Sequence, residues 1–411
     1  MVEYWNYFLN QKIHHQVFLI SSIVLVVGLS TSPAFMSIGC AGLVLGFLLD
    51  YKNLKSNLQN FKKPVFFSIM ILYFIHLLPI HQLSNSQQLL TELRIKIPFI
   101  LIPLGFFSFQ PKKNDFYLIS FFFLISLSLV SLLTLGNYLL HFEEMNHRIL
   151  ESKEIPVVTK VTHIYFSVML AFGIFLSYHL GKVLKQKFYY YFSIFLLICL
   201  HLFTSRTGLV GFYIAIFINI IFYIFKEKHK IFQKLSILLS IFLLPVLAYF
   251  LLPSFQNRVI NTLEDIQRYK NKEDINHRSV SMRLVTWEMG YLAFKKNPWF
   301  GVGMENISET IHKEYESNQV PLKKANWLND LHNQFFEYLL GLGVLGFVVF
   351  IFWLCYPISQ NQNEIFLQFI ALLFGTMFAE SLLERQVGVC FGIYWYYFLY
   401  KFSSNYEEIN L

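Results

Sequence analysis

The sequence predicts an all-α membrane protein that crosses the bilayer many times, and three observations carry that prediction. Of its 411 residues, 55% are hydrophobic and 18% aromatic, while only 14% are charged, little more than half the share typical of a soluble chain. The mean hydropathy is positive, at +0.48. Apolar runs recur along the chain, many near the roughly 20 residues that a helix needs to cross about 30 Å of hydrocarbon.

Read from break to break, these runs predict helices at 16–31, 33–49, 64–80, 93–109, 116–141, 163–181, 188–204, 207–225, 232–252, 335–356, 365–382 and 387–402, about twelve spans. The pairs within 16–49 and 188–225 also read as partly re-entrant hairpins. A single Lys12 precedes the first run, which passes into the second without a small-residue cleavage site. It therefore reads as a retained helix, not a removed signal peptide. Four lysine groups then set the orientation: Lys52, Lys55, Lys62 and Lys63; Lys112 and Lys113; Lys182, Lys185 and Lys187; Lys226, Lys228, Lys230 and Lys234. They fall in alternate loops, and basic loops stay on the cytoplasmic side. Both termini are accordingly expected in the cytoplasm, with one large loop on the outer face, which in a bacterial inner membrane is periplasmic. The expected division is 1–252 with about nine spans, the periplasmic loop 253–334, and 335–411 with about three spans.

The net charge of +8 sits mostly in the short loops and does not call for a nucleic-acid partner. Cys40, Cys199, Cys355 and Cys390 lie in apolar runs without metal-ligand spacing and read as buried packing residues. No repeat or phosphate-cradling glycine loop is present. Within the large loop, QNRVINTLEDIQRYKNKEDINHRS is polar and reads as mobile, whereas Met282 to Lys296 has apolar residues at helical spacing. Asn297-Pro298 ends that helix, and Gly301 and Gly303 permit tight turning.

Polar, aromatic and turn-forming residues concentrate between Ser279 and Gly346, and chemistry is expected there. His332 precedes the helix that begins near Phe335, with Asn329 or Asp330 as its cap. A helix N-terminus disfavours imidazolium, so the ring suits a general base unless a carboxylate intervenes; an interfacial histidine bonded to a carbonyl is the competing reading. Glu337 can orient that ring or simply complement the helix dipole. Arg206, in the break TSRTG, reads either as a ligand for an anion at membrane depth or as an interfacial arginine that snorkels. Arg283 opens the amphipathic helix with Trp287 one turn on, against the alternative of a solvated arginine. Glu380 and Glu384 are placed one helical turn apart, with Arg385 beside them, as an ion cluster. His163 and Tyr165 open the sixth span, either along a glycan path or in an interfacial belt.

Three stretches in this order resemble the O-antigen ligase and O-antigen polymerase family of bacterial inner-membrane glycosyltransferases. They are Ser205-Arg206, the Arg283 to Trp287 helix followed by NPWFGVG at 297–303, and HNQFFEYLLGLGVLGF from His332 to Phe347. The ending ESLLERQVGVCFGIYWYYF from Glu380 is similar too. The resemblance implies a GT-C-like arrangement and transfer of a glycan from a polyprenyl (undecaprenyl) diphosphate carrier, at the periplasmic face. The acceptor would be a hydroxyl of lipid A core in lipopolysaccharide, of another glycan or of a protein, and no cofactor, metal or nucleotide sugar is implied. It makes His332 the base, with Glu337 behind it, and Arg206 and Arg283 the groups that hold the diphosphate. Trp287, His163, Tyr165 and Glu380 would orient the helix or the glycan. Ligation and polymerisation are not separated by these motifs. A multi-span transporter is the alternative of another class, disfavoured by the absence of internal repeats and of paired broken spans.

Overall fold

The computed structural model describes residues 2–76, 86–151, 153–159, 161–226, 243–361 and 363–407, and its secondary structure there is entirely helical. Residues 232–242 of the run predicted at 232–252, together with Lys228, Lys230 and Lys234, lie outside these residues. Among the described residues, four helices are long and apolar enough to cross a membrane: Ile13–Thr31, Lys113–Leu140, His163–Leu184 and Gln334–Gln360. Two bent pairs would raise the number to six. The other predicted runs within the described residues are helical but shorter or less apolar, so length and composition alone do not reach twelve spans.

Boundaries follow local chemistry. Ser32 is extended, its hydroxyl accepts from the amide of Ala34, and Pro33 opens the next helix, so one apolar stretch becomes a hairpin of two. The span expected at 93–109 is instead two helices, Ser86–Lys96 and Pro98–Ser108. Its polar beginning has a structural cause: the buried Lys96 ammonium donates to the carbonyl of Leu383 at 2.7 Å and to Glu384 Oε2 at 2.5 Å.

The helix Gln386–Glu407 lies at the centre of the molecule. From Val389 to Leu399 its side chains are buried, including Tyr394, Trp395, Tyr396 and Tyr397. Trp395 meets Phe123 and Phe172 edge-on, and the hydroxyl of Tyr397 donates to the carbonyl of Val65 at 2.7 Å. Tyr396 likewise donates to the carbonyl of Trp353, so two of these buried tyrosines find backbone partners, whereas Tyr394 Oη and Trp395 Nε1 have no hydrogen-bond partner among the described residues. Cys40 and Cys390 pack with sulfurs 3.8 Å apart and Cys199 is buried, but Cys355 is exposed on Gln334–Gln360, which corrects the expectation that all four are buried.

The segment read as mobile after Pro253 forms the helix Pro253–Lys270, and Ser279–Lys296 follows it. Val280 donates its amide to Asp265 Oδ2 at 3.0 Å and Ser281 its hydroxyl to the carbonyl of Asp265 at 2.5 Å, which ties the two helices together. Beyond the turn at Asn297, the backbone runs against a break in Gln334–Gln360. Gly343 there has φ 67° and ψ −175°, and Gly301 opposite has φ 72°. The amides of Val302 and Gly303 donate to the carbonyls of Leu340 and Gly341, and that of Val344 to Pro298, all within 3.0 Å. Backbone groups freed by the helix break are thus satisfied by the NPWFGVG turn. A Cβ on Gly343 would lie 2.3 Å from the carbonyl oxygen of Trp299, so both motifs require glycine for this crossing.

Candidate active site

The helix Lys187–Phe203 ends at Thr204, which takes a left-handed φ of 55°, and the next helix begins at Arg206. Ser205 in this break accepts from the hydroxyl of Ser167 at 2.8 Å. Arg206 is held by the polar face of Pro253–Lys270: its Nε donates to Thr262 Oγ1 at 3.0 Å and its Nη2 to Asn261 Oδ1 at 2.6 Å, with Asp265 Oδ2 3.7 Å away. The same helix contributes Arg258, 8% exposed, whose Nη2 donates to the carbonyl of Lys153 at 2.8 Å and whose Nε has no hydrogen-bond partner among the described residues. Burial pulls the Arg258 guanidinium down to about 10, which leaves it cationic at neutral pH.

Arg283 joins these two from Ser279–Lys296. Its Nη1 donates to the carbonyl of Ala379 at 2.6 Å and its Nη2 to Glu380 Oε2 at 3.3 Å. The other oxygen of Glu380 lies 3.0 Å from His332 Nδ1, so one carboxylate couples the arginine to the imidazole. Burial raises this carboxyl, but the hydrogen bond and charge of His332 and the charge of Arg283 more than offset it, and Glu380 is held below the usual range. His332 Nε2 is 3.1 Å from Asp330 Oδ1. Asp330 moves the other way: burial pushes its carboxyl up despite the nearby imidazole.

His332 itself has φ 47°, and the backbone around it is secured on several sides. Leu331 donates its amide to Glu337 Oε2 and accepts from Trp287 Nε1, both at 2.7 Å, and Asn333 donates its amide to Ser381 Oγ at 3.1 Å. The helix after it begins at Gln334 and is capped by Asn333, whose Oδ1 accepts from the amide of Phe336, so neither Asn329 nor Asp330 is the cap.

Arg206, Arg258, Arg283, His163 and His332 line one cavity of about 190 Å³. The three arginines also border an apolar groove of about 440 Å³, walled by Leu209, Val210, Phe255, Leu263, Trp287 and Phe378 among others. A guanidinium cluster binds phosphate oxygens through planar paired bonds, and a groove of this composition accepts hydrocarbon. Among the described residues no three His, Cys, Asp or Glu side chains are grouped closely enough to hold a metal ion.

Three placements differ from those expected. Glu337 does not touch the imidazole, because His332 precedes the helix in a left-handed turn while Glu337 points back to Leu331 and to Ser381, whose hydroxyl lies 3.1 Å away. The orienting contact is made by Glu380 instead. Glu380 and Glu384 do not share a helix face: the helix Glu364–Ala379 stops before Glu380, and the short 3-10 turn Leu382–Glu384 aims Glu384 at Lys96 and Gln334. Tyr165 is buried and does not line the cavity that His163 borders. Arg258 was missed by reading its segment as mobile. Its signal was present in the spacing, since Arg258, Asn261, Thr262 and Asp265 fall on one face of a helix.

Residues 191–351 match the family model described as O-Antigen ligase (Wzy_C), a stretch that contains Arg206, Arg258, Arg283 and His332. The match supports membership of the O-antigen ligase family. It bears out the resemblance drawn from the motifs and suggests a glycosyltransferase of the O-antigen ligase or polymerase type. A protein of Haemophilus influenzae (strain ATCC 51907 / DSM 11121 / KW20 / Rd), described as an uncharacterized protein, is 27% identical over 355 residues, 83% of this chain and 82% of that protein.

Proposed function

We propose that the chain transfers a glycan from a polyprenyl diphosphate carrier to a hydroxyl acceptor at the periplasmic face of a bacterial inner membrane. The observation that carries this reading is the junction of the apolar groove, the arginine-lined cavity and the His332–Glu380 pair, all sharing Arg283 or its immediate partners. In this reading the polyprenyl chain lies in the groove and the diphosphate rests on Arg206, Arg258 and Arg283.

Glu380 holds Nδ1 as the proton-bearing nitrogen, and Nε2, which faces Asp330 Oδ1 at 3.1 Å, accepts a proton once the acceptor hydroxyl takes that carboxylate's place. The acceptor oxygen forms its bond to the anomeric carbon as Nε2 takes the hydroxyl proton. The bond from that carbon to the phosphate oxygen breaks, and its electron pair leaves on the diphosphate. Negative charge grows on that oxygen in the transition state, where fixed guanidinium groups stabilise it more than in the ground state. Attack opposite the leaving group inverts the anomeric centre.

The test is consumption of polyprenyl diphosphate-linked glycan by purified protein with Arg283→Ala and Arg206→Ala as separate variants. Retention of normal donor binding and turnover in both would overturn the reading.

A further inference from the structure

A second cavity, of about 460 Å³, adjoins the His332–Asp330 pair and has the opposite character. Glu92, Glu305, Asp330, Glu337, Glu384 and Arg385 contribute its charged lining. Most of these carboxylates have partners within the fold. Glu384 is matched by Lys96, Glu337 accepts from Leu331 and Ser381, and Asp330 faces the imidazole.

Three carboxyl oxygens of this wall nevertheless have no hydrogen-bond partner among the described residues: Asp330 Oδ1, which only faces the imidazole, and one each on Glu305 and Glu92. Glu305 is 6% exposed, its Oε1 accepts from Asn306 Nδ2 at 3.2 Å, and its Oε2 is buried without a hydrogen-bond partner among the described residues. Glu92 Oε2 is buried in the same condition. A buried carboxylate oxygen with no donor is costly, and one at a cavity wall is expected to gain its donor from a ligand. Burial also pushes the Glu305 carboxyl up and that of Glu92 up to about 7. The carboxylates are spread around the wall rather than gathered on one point, which suits a ligand with several hydroxyl or amine donors.

We propose that this cavity receives the terminal sugar of the acceptor, and that it selects a sugar bearing an amine over a neutral one, and either over one bearing a carboxylate or phosphate. The proposal rests on the transferase reading above. Asp330 lies in this cavity's wall with its Oδ1 3.1 Å from Nε2 of His332, whose ring lines the arginine cavity, so a sugar seated here reaches the nitrogen that takes the proton by replacing the Asp330 contact. Five carboxyl groups against the single guanidinium of Arg385 on this side, and three arginines on the other, then sort the substrates: an anionic leaving group on the arginines, an acceptor free of anions on the carboxyl-rich wall.

Saturation-transfer NMR on the purified full-length protein tests this with three probes, the glucosamine, glucose and glucuronate disaccharides. Affinity should fall in that order, by roughly tenfold or more from first to last, the size of a charge-assisted hydrogen bond gained or lost. Glu305→Gln should collapse the preference for the glucosamine disaccharide, and Glu92→Gln provides the same readout if the first variant does not fold. Glucuronate binding as well as glucosamine, or an unchanged ranking in the folded Gln variants, would overturn the proposal. Binding of polyprenyl diphosphate is measured in the same preparation. Failure of wild type to bind it while the sugars rank as expected would overturn the transferase reading and not the cavity's selectivity.

Discussion

Two cavities meet at the His332–Asp330 pair, His332 in the wall of one and Asp330 in the wall of the other, and they are built by opposite means. On the arginine side each cation is tied into the fold by neutral or acidic partners, Arg206 by Thr262 and Asn261, Arg258 by a carbonyl, and Arg283 by Glu380 and another carbonyl. On the acidic side Glu92, Glu305 and Asp330 each keep a buried oxygen with no hydrogen-bond donor among the described residues. The first arrangement is a preorganised receptor for charge that develops during reaction, since its donors are already fixed. The second is a surface that a ligand completes. His332 stands between them, with Glu380 behind Nδ1 and Asp330 before Nε2.

The largest effect should come from the imidazole at which the two sides meet. His332→Ala removes the proton acceptor and should lower turnover by roughly 10²- to 10⁴-fold while donor binding persists. Near-normal turnover by purified protein at matched levels would remove the imidazole from the reaction. Next in size is the arginine side alone. Lysine keeps a positive charge but offers a single hydrated point in place of a planar fork, so Arg206→Lys and Arg283→Lys should each cost about 10²- to 10³-fold in rate. Lysine variants that work like wild type would reduce the arginine cavity to bulk charge.

Glu380→Gln should come third, at about 10²-fold, because a base displaced by about 1 Å loses that much. Its role is positioning, and the measurement is a double-mutant cycle with His332→Ala. If Glu380 acts through the imidazole, the second substitution should cost little in the His332→Ala background; full additivity would mean that it acts elsewhere.

The arginine side was largely legible in the sequence and the acidic side was not, for a physical reason. Arg206, Arg283 and His332 each stand beside a local signal: a polar break in an apolar run, a helix start, a helix approach. The acidic wall is assembled from residues over 200 positions apart, with Glu92 and Glu305 meeting only because of how the chain packs. Glu380 was named among the candidates, but its contact with His332 depends on the helix ending at Ala379, which hydropathy did not reveal. The apolar runs located the helices well, yet the central Gln386–Glu407 helix shows why hydropathy misstates surroundings. Its aromatic and hydroxyl groups face protein instead of lipid.

The smallest effect on turnover is expected from the backbone crossing of Trp299–Val302 with Gly341–Leu345, which lies beyond both clusters. Gly343 holds a backbone conformation open almost only to glycine, and any Cβ there would press on the Trp299 carbonyl at 2.3 Å. Gly343→Ala should therefore destabilise the fold by about 2 kcal/mol or more, seen as a lower unfolding temperature. Gly136→Ala is the control, since a Cβ at that helical position meets nothing within 4 Å, and it should leave stability equal or slightly higher. The crossing leads directly into Met304 and Glu305 at the acidic wall, whereas Arg206 is fixed separately by Pro253–Lys270. Folded Gly343→Ala molecules should thus keep turnover within a few-fold of wild type at saturation, and any rise in KM should fall on the acceptor and not on the donor. A rise confined to the donor would mean that the crossing supports the arginine side, and the two cavities would then be one mechanical unit instead of two.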